Sequence, residues 1–134
     1  MNRRAFNASL IALGLGMMVP GGARAAAAKG GFLSTGYDEL RARHLVSRIG
    51  ADLDIMWDLQ LPARGHGTAV RPGKDEGLVV ARRPGEYAIA FDLADGHALH
   101  RITPAPGRHF YGHGVYSIDG QTLWMTENAF ETGI

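Results

Sequence analysis

Two stretches of this chain are written to one plan. Gly65-His66-Gly67-Thr68-Ala69-Val70-Arg71-Pro72-Gly73 and Gly112-His113-Gly114-Val115-Tyr116-Ser117-Ile118-Asp119-Gly120 each run Gly-His-Gly, a short extended piece and a turn. Each then leads into an apolar strand, Leu78–Ala81 in the first case and Leu123–Thr126 in the second. His66 and His113 stand 47 residues apart, and a period of that size with four short strands per unit marks a blade of a β-propeller. Glycine supplies 19 of the 134 residues, about double the usual ~7%. That density suits many tight turns and argues against a helical bundle.

The segments between the histidines fit blade strands. Tyr87–Leu93 is rich in apolar and aromatic residues, as a strand buried between neighbouring sheets should be. Ala94-Asp95-Gly96 is a hairpin turn, and His97–Ile102 alternates polar with apolar, the pattern of a half-exposed outer strand. The sequence therefore predicts an all-β, partial β-propeller of about two to two and a half four-stranded antiparallel blades, preceded by an N-terminal signal helix. Blade one has strands near 32–35, 44–49 and 55–61 and lacks an inner strand. Blade two runs near 67–71, 78–83, 87–93 and 97–102. Blade three has an inner strand near 112–117 and a second near 122–126, with its third due near 132–134. A ring needs at least ~4 blades to close, so the expectation is the N-terminal part of a longer protein or a truncated gene product. A small complete β-domain is the alternative. Trp57-Asp58 matches the "WD" dipeptide in letters only, since it falls on an outer strand, and Trp124 is expected in the core between blades.

The first residues carry an address rather than a fold. Arg3 and Arg4 precede Phe6, an apolar run spans Ala8–Pro20, and a small-x-small cleavage site follows with its cut after Ala25. The run is too short for a membrane span, which needs ~20 apolar residues. The paired arginines with Phe6, and Arg24 after the apolar run, point to a twin-arginine signal over residues 1–25. Asn2 stands where Ser or Thr is common, and a Sec signal with an incidental Arg-Arg is the competing reading. Either route leads to the periplasm and leaves residues 26–134 as the mature domain. Three of the 14 basic residues go with the signal, leaving 11 against 13 acidic ones, a net charge near −2. That lacks the electrostatic footprint of a nucleic-acid binder.

Several strings carry a family resemblance. Phe91–Leu99 looks like the aromatic-Asp-Leu-x-x-Gly-x-x-Leu hairpin of WD-like and YVTN-type propellers, and Gly112–Gly120 resembles their Gly-His…Phe-Ser-Pro-Asp-Gly segment with Ile118 in place of Pro. Leu61–Gly73, Val80–Gly85, Gly107–Val115 and Thr126-Glu127-Asn128 together resemble the bacterial family of unknown function DUF1513. The resemblance implies a Tat-exported propeller more than twice this length, of which this chain would be about the first third. It also implies a link to iron handling in the envelope, because members are often encoded beside imelysin-like and di-haem-oxidoreductase-like proteins.

The residues that can carry chemistry lie around the repeat. Equivalent positions in successive blades face one rim of the central channel, so His66 and His113, with His109 four residues earlier, are candidate ligands for iron, copper or zinc. The plainer reading makes each histidine a pin that hydrogen-bonds within its own blade. Arg64, Arg71, Arg82, Arg83 and Arg108 are expected around the same loops, where they would either bind an anionic ligand or serve as solvated loop charge. Glu127 and Asn128 are read either as oxygen donors that complete a metal or catalytic site or as ordinary exposed residues with no such role. Cysteine is absent, which excludes disulfides, thiolate metal sites and covalent c-type haem, and no Gly-x-Ser-x-Gly, Walker A or His-Glu-x-x-His motif occurs. The balance favours a periplasmic binding or scaffold protein that docks a protein partner, with a metal-dependent oxidoreductase or lyase at the channel mouth as the alternative.

Overall fold

The computed structural model describes residues 30–129. The signal segment with Arg3, Arg4, Phe6 and the cut after Ala25, and the strand expected near 132–134, lie outside the described residues. Nine strands make up the rest: β1 (Phe32–Asp38), β2 (Arg43–Ile49), β3 (Ile55–Leu61), β4 (Gly65–Val70), β5 (Glu76–Ala81), β6 (Ala88–Asp92), β7 (Ala98–Ile102), β8 (His109–Tyr116) and β9 (Leu123–Asn128). They form three antiparallel sheets in chain order, β1-β2-β3, β4-β5-β6-β7 and β8-β9. The last strand of one sheet hands the chain to the first strand of the next, as between blades of a propeller. No helix among the described residues is long and apolar enough to cross a membrane.

The middle sheet shows why a continuous apolar run can still be a strand. In β5 and β6 the period of two survives, but both faces are buried. Val79, Ala81, Ile89 and Phe91 point to the first sheet, where they meet Val46 and Leu61 with Leu33, Trp57 and Leu59 at the margin. Leu78, Val80, Ala88 and Ala90 point the other way, onto Phe110, Tyr116, Leu123 and Met125 of the third sheet. Each of the larger side chains (Val, Leu, Ile, Phe, Met) removed from water contributes about 1.5–3 kcal/mol and each alanine methyl less, and the two layers hold the three sheets in one stack. β7, at the margin of the middle sheet, is exposed on both faces rather than alternating.

Polar ties cross the same interfaces. Arg48, buried, and the Trp57 indole both donate to the Leu93 carbonyl, the indole at 3.0 Å. Tyr116 donates to Glu76 at 3.0 Å, and Arg71 reaches the Gly120 carbonyl at 2.7 Å while pairing with Glu76. Gly85 and Phe110 exchange two backbone hydrogen bonds of 3.0 and 2.8 Å, which locks the middle sheet to the third. Trp124 departs from its expected place. It is 66% exposed, on the face of β9 opposite the core, directly across from exposed Val115.

Candidate functional site

Antiparallel order gathers the starts of β2, β4, β6 and β8 and the ends of the other strands at one end of the stack. That end carries Arg41, Arg43, His44, Arg64, His66, Arg82, Arg83, Arg101, Arg108 and His109 against Asp38, Glu39, Glu86 and Glu127. The opposite end carries Asp52, Asp54, Asp75, Glu76, Asp92, Asp95 and Asp119. The molecule is thus polarised, with an arginine- and histidine-rich end and an acidic one.

Both Gly-His-Gly stretches sit at breaks in their ladders. The register shifts between Gly65 and Gly67, so His66 is the extra residue of a bulge, and a wider break between Phe110 and Gly114 sets Tyr111, Gly112 and His113 where the partner strand has one residue. A bulge turns a side chain out of the ordinary alternation. Here both turns bring the two imidazoles together, with ring centres 4.9 Å apart and planes inclined by 74°. Glycine permits the approach. A methyl group on Gly67 would lie 2.5 Å from the Gly112 carbonyl oxygen, and one on Gly112, whose φ is +97°, would lie 2.7 Å from the His66 ring. The first strands of two successive sheets therefore pass close enough for one histidine to face the other only because neither neighbour has a side chain.

His66 also forms the wall of an open cleft of about 510 Å³ between the first and middle sheets, with Thr35, Tyr37, His44 and Arg64 around it. The Tyr37 and His44 rings meet at a tilt of 52°, with centres 4.9 Å apart. His44, beside Arg43 at the start of β2, carried no signal in the sequence that would have placed it here. Nearby, burial pushes the Asp38 carboxyl up, but hydrogen bonds from Arg41 and Arg43, each at 3.2 Å, outweigh this and hold it below the usual carboxylate range.

The other expected site residues divide. Arg64 belongs to this cleft, whereas Arg108 and Glu127 are spent on each other at 2.7 Å, a part-exposed pair of small net value. Asn128 lies opposite His109 at the start of β8. Arg71 is corrected outright: it sits at the acidic end, bound to Glu76 and Gly120, because it closes β4 where Arg64 precedes it. Among the described residues, three potential metal ligands converge at Asp92, Asp95 and His97 in the β6–β7 turn, and not at His66, His109 and His113. There the His97 amide and imidazole both bond Asp95, the ring at 2.6 Å, which lowers the Asp95 pKa and raises that of His97.

The family model described as "Protein of unknown function (DUF1513)" matches residues 59–134. That span includes the whole middle and third sheets and both Gly-His-Gly stretches. No curated protein matches the chain.

Proposed function

The chain belongs to the DUF1513 family, and from that premise we propose that it is an exported binding protein of the bacterial envelope that holds a metal ion, iron, copper or zinc, at the paired histidines of its basic end. The observation that carries this reading is the meeting of His66 and His113 from two sheets. Two imidazoles on one ion, each bonded at ~2.0–2.1 Å, hold their ring centres about 5 Å apart, and these stand at 4.9 Å. Imidazole is a ligand that iron, copper and zinc all accept. Two protein ligands leave coordination positions open for a bound molecule or a docking partner, and the adjoining cleft gives such a group room. Export is supported by the Arg3-Arg4-x-Phe6 signal, and a binding role by the open cleft that adjoins the histidine pair.

The reading is tested on the full chain, recovered from the periplasmic fraction after expression in a bacterium and titrated with Zn²⁺ and Cu²⁺. One ion per chain is expected, with affinity lost by about tenfold or more in His66→Ala and in His113→Ala and retained in His97→Ala. Undiminished binding in the His66→Ala/His113→Ala double variant overturns the site, and accumulation of the precursor in the cytoplasm overturns the export.

A further inference from the structure

Nine arginines fall within the described residues, and their partners sort them. Arg41 and Arg43 share Asp38, Arg71 pairs with Glu76, and Arg108 with Glu127. Arg48 is buried and spent on a carbonyl. The remaining four, Arg64, Arg82, Arg83 and Arg101, have no carboxylate at ion-pair distance among the described residues. All four line one cleft of about 430 Å³ at the basic end, where Glu86 is the sole acid among the described lining residues. We propose that this cleft is a binding site for a small polyanion bearing phosphate or carboxylate groups.

The cations are held in place by means other than acids. Tyr87 forms the buried floor, and its hydroxyl donates to the Ala63 carbonyl at 2.7 Å. Arg101 lies over the Tyr87 ring at 5.9 Å. Arg83 lies over Tyr111 at 5.1 Å and bonds its hydroxyl. The Arg82 amide donates to the Arg64 carbonyl at 2.9 Å, tying the β3–β4 and β5–β6 loops together. A guanidinium carries five N–H donors, so Arg83 and Arg101 are oriented by their rings and keep donors for a ligand. Like charges gathered about one concavity raise the local concentration of anions and are relieved when one binds. The planar fork of each arginine suits phosphate and carboxylate alike.

The volume falls within the ~300–1,000 Å³ of small-molecule sites, and the cleft is concave. A membrane surface or a nucleic acid would instead call for a broad basic face, and the acidic balance of the mature domain disfavours both. The site shares only Arg64 with the cleft beside the histidines, so it stands or falls apart from metal binding.

Calorimetric titration of the full chain with inorganic phosphate, pyrophosphate and citrate, at constant ionic strength, tests it. Pyrophosphate or citrate is expected to saturate one site per chain, and the tighter of the two identifies the oxyanion class. Arg82→Ala/Arg101→Ala should weaken that binding by about tenfold or more, with an unchanged circular dichroism spectrum because both side chains are exposed. Arg101→Lys, which keeps charge and loses the fork, should fall between, and Lys74→Ala at the acidic end should bind normally. Three results each overturn the proposal: no saturable binding of any probe, full affinity in the double variant, or binding only to vesicles rich in anionic phospholipid.

Discussion

Tyr87 and Tyr116 show how single residues report on the stack. Burial pushes both phenols up to about 12, Tyr87 against a smaller opposing pull from Arg101, Tyr116 with help from its hydrogen bond to Glu76. The folded chain thus favours the neutral phenols, and the unfolded chain ionises them near 10. Their contribution to stability is whole below pH ~10 and is lost as pH rises through about 12. The denaturant midpoint should start to fall above pH ~10, and Tyr116→Phe should soften the fall. A midpoint constant to pH ~12 would contradict the burial of these two rings. At the same scale, His66 and His113 were legible as candidates because glycine flanks each of them. His44 and Arg101 were not, since a polar residue in a strand looks the same whether it faces a cleft or bulk water.

At the scale of the element, apolar pattern foretold position well where a strand is covered on both faces. Tyr87–Leu93 read as a buried strand and β6 is one, with Phe91 fully enclosed. Pattern failed on the third sheet, because an aromatic residue in a strand does not reveal which face has a neighbour. Trp57 packs edge-on against Phe91 at 5.4 Å, while Trp124 is 66% exposed. Phe91→Ala should therefore cost about 3–5 kcal/mol through the cavity it leaves between the first and middle sheets. Trp124→Ala should stay within about 0.5 kcal/mol. Chemical denaturation of the two variants checks this, and equal losses would mean that the core lies elsewhere. The bulge at His66 and the wider ladder break around His113 were beyond the reach of pattern, since extra residues become visible only when the partner strand is in register beside them.

Over the whole molecule, one repeat accounts for both the architecture and the site. The blade boundaries were legible because Gly-His-Gly lies in the first strand of the middle and the third sheet alike, opening β4 and falling within β8, and strand spacing filled in the rest. Charge polarity was not legible, because it arises only when antiparallel order sends alternate loops to opposite ends. That order separates Arg71 from Arg64, although they lie in one stretch of sequence, and brings Arg101 to Arg82. The membership in DUF1513 attaches this arrangement to a family without assigned chemistry, for which a polarised stack with a histidine pair is a concrete starting point.

The convergence of the two repeat copies is open to direct measurement by nuclear Overhauser spectroscopy on the full chain labelled at histidine, where six rings make assignment tractable. Cross-peaks between the His66 and His113 ring protons are expected, and they should vanish in either alanine variant. Assigned, well-resolved rings with no cross-peak between them would show that the two copies do not meet, and the paired-histidine site would fall.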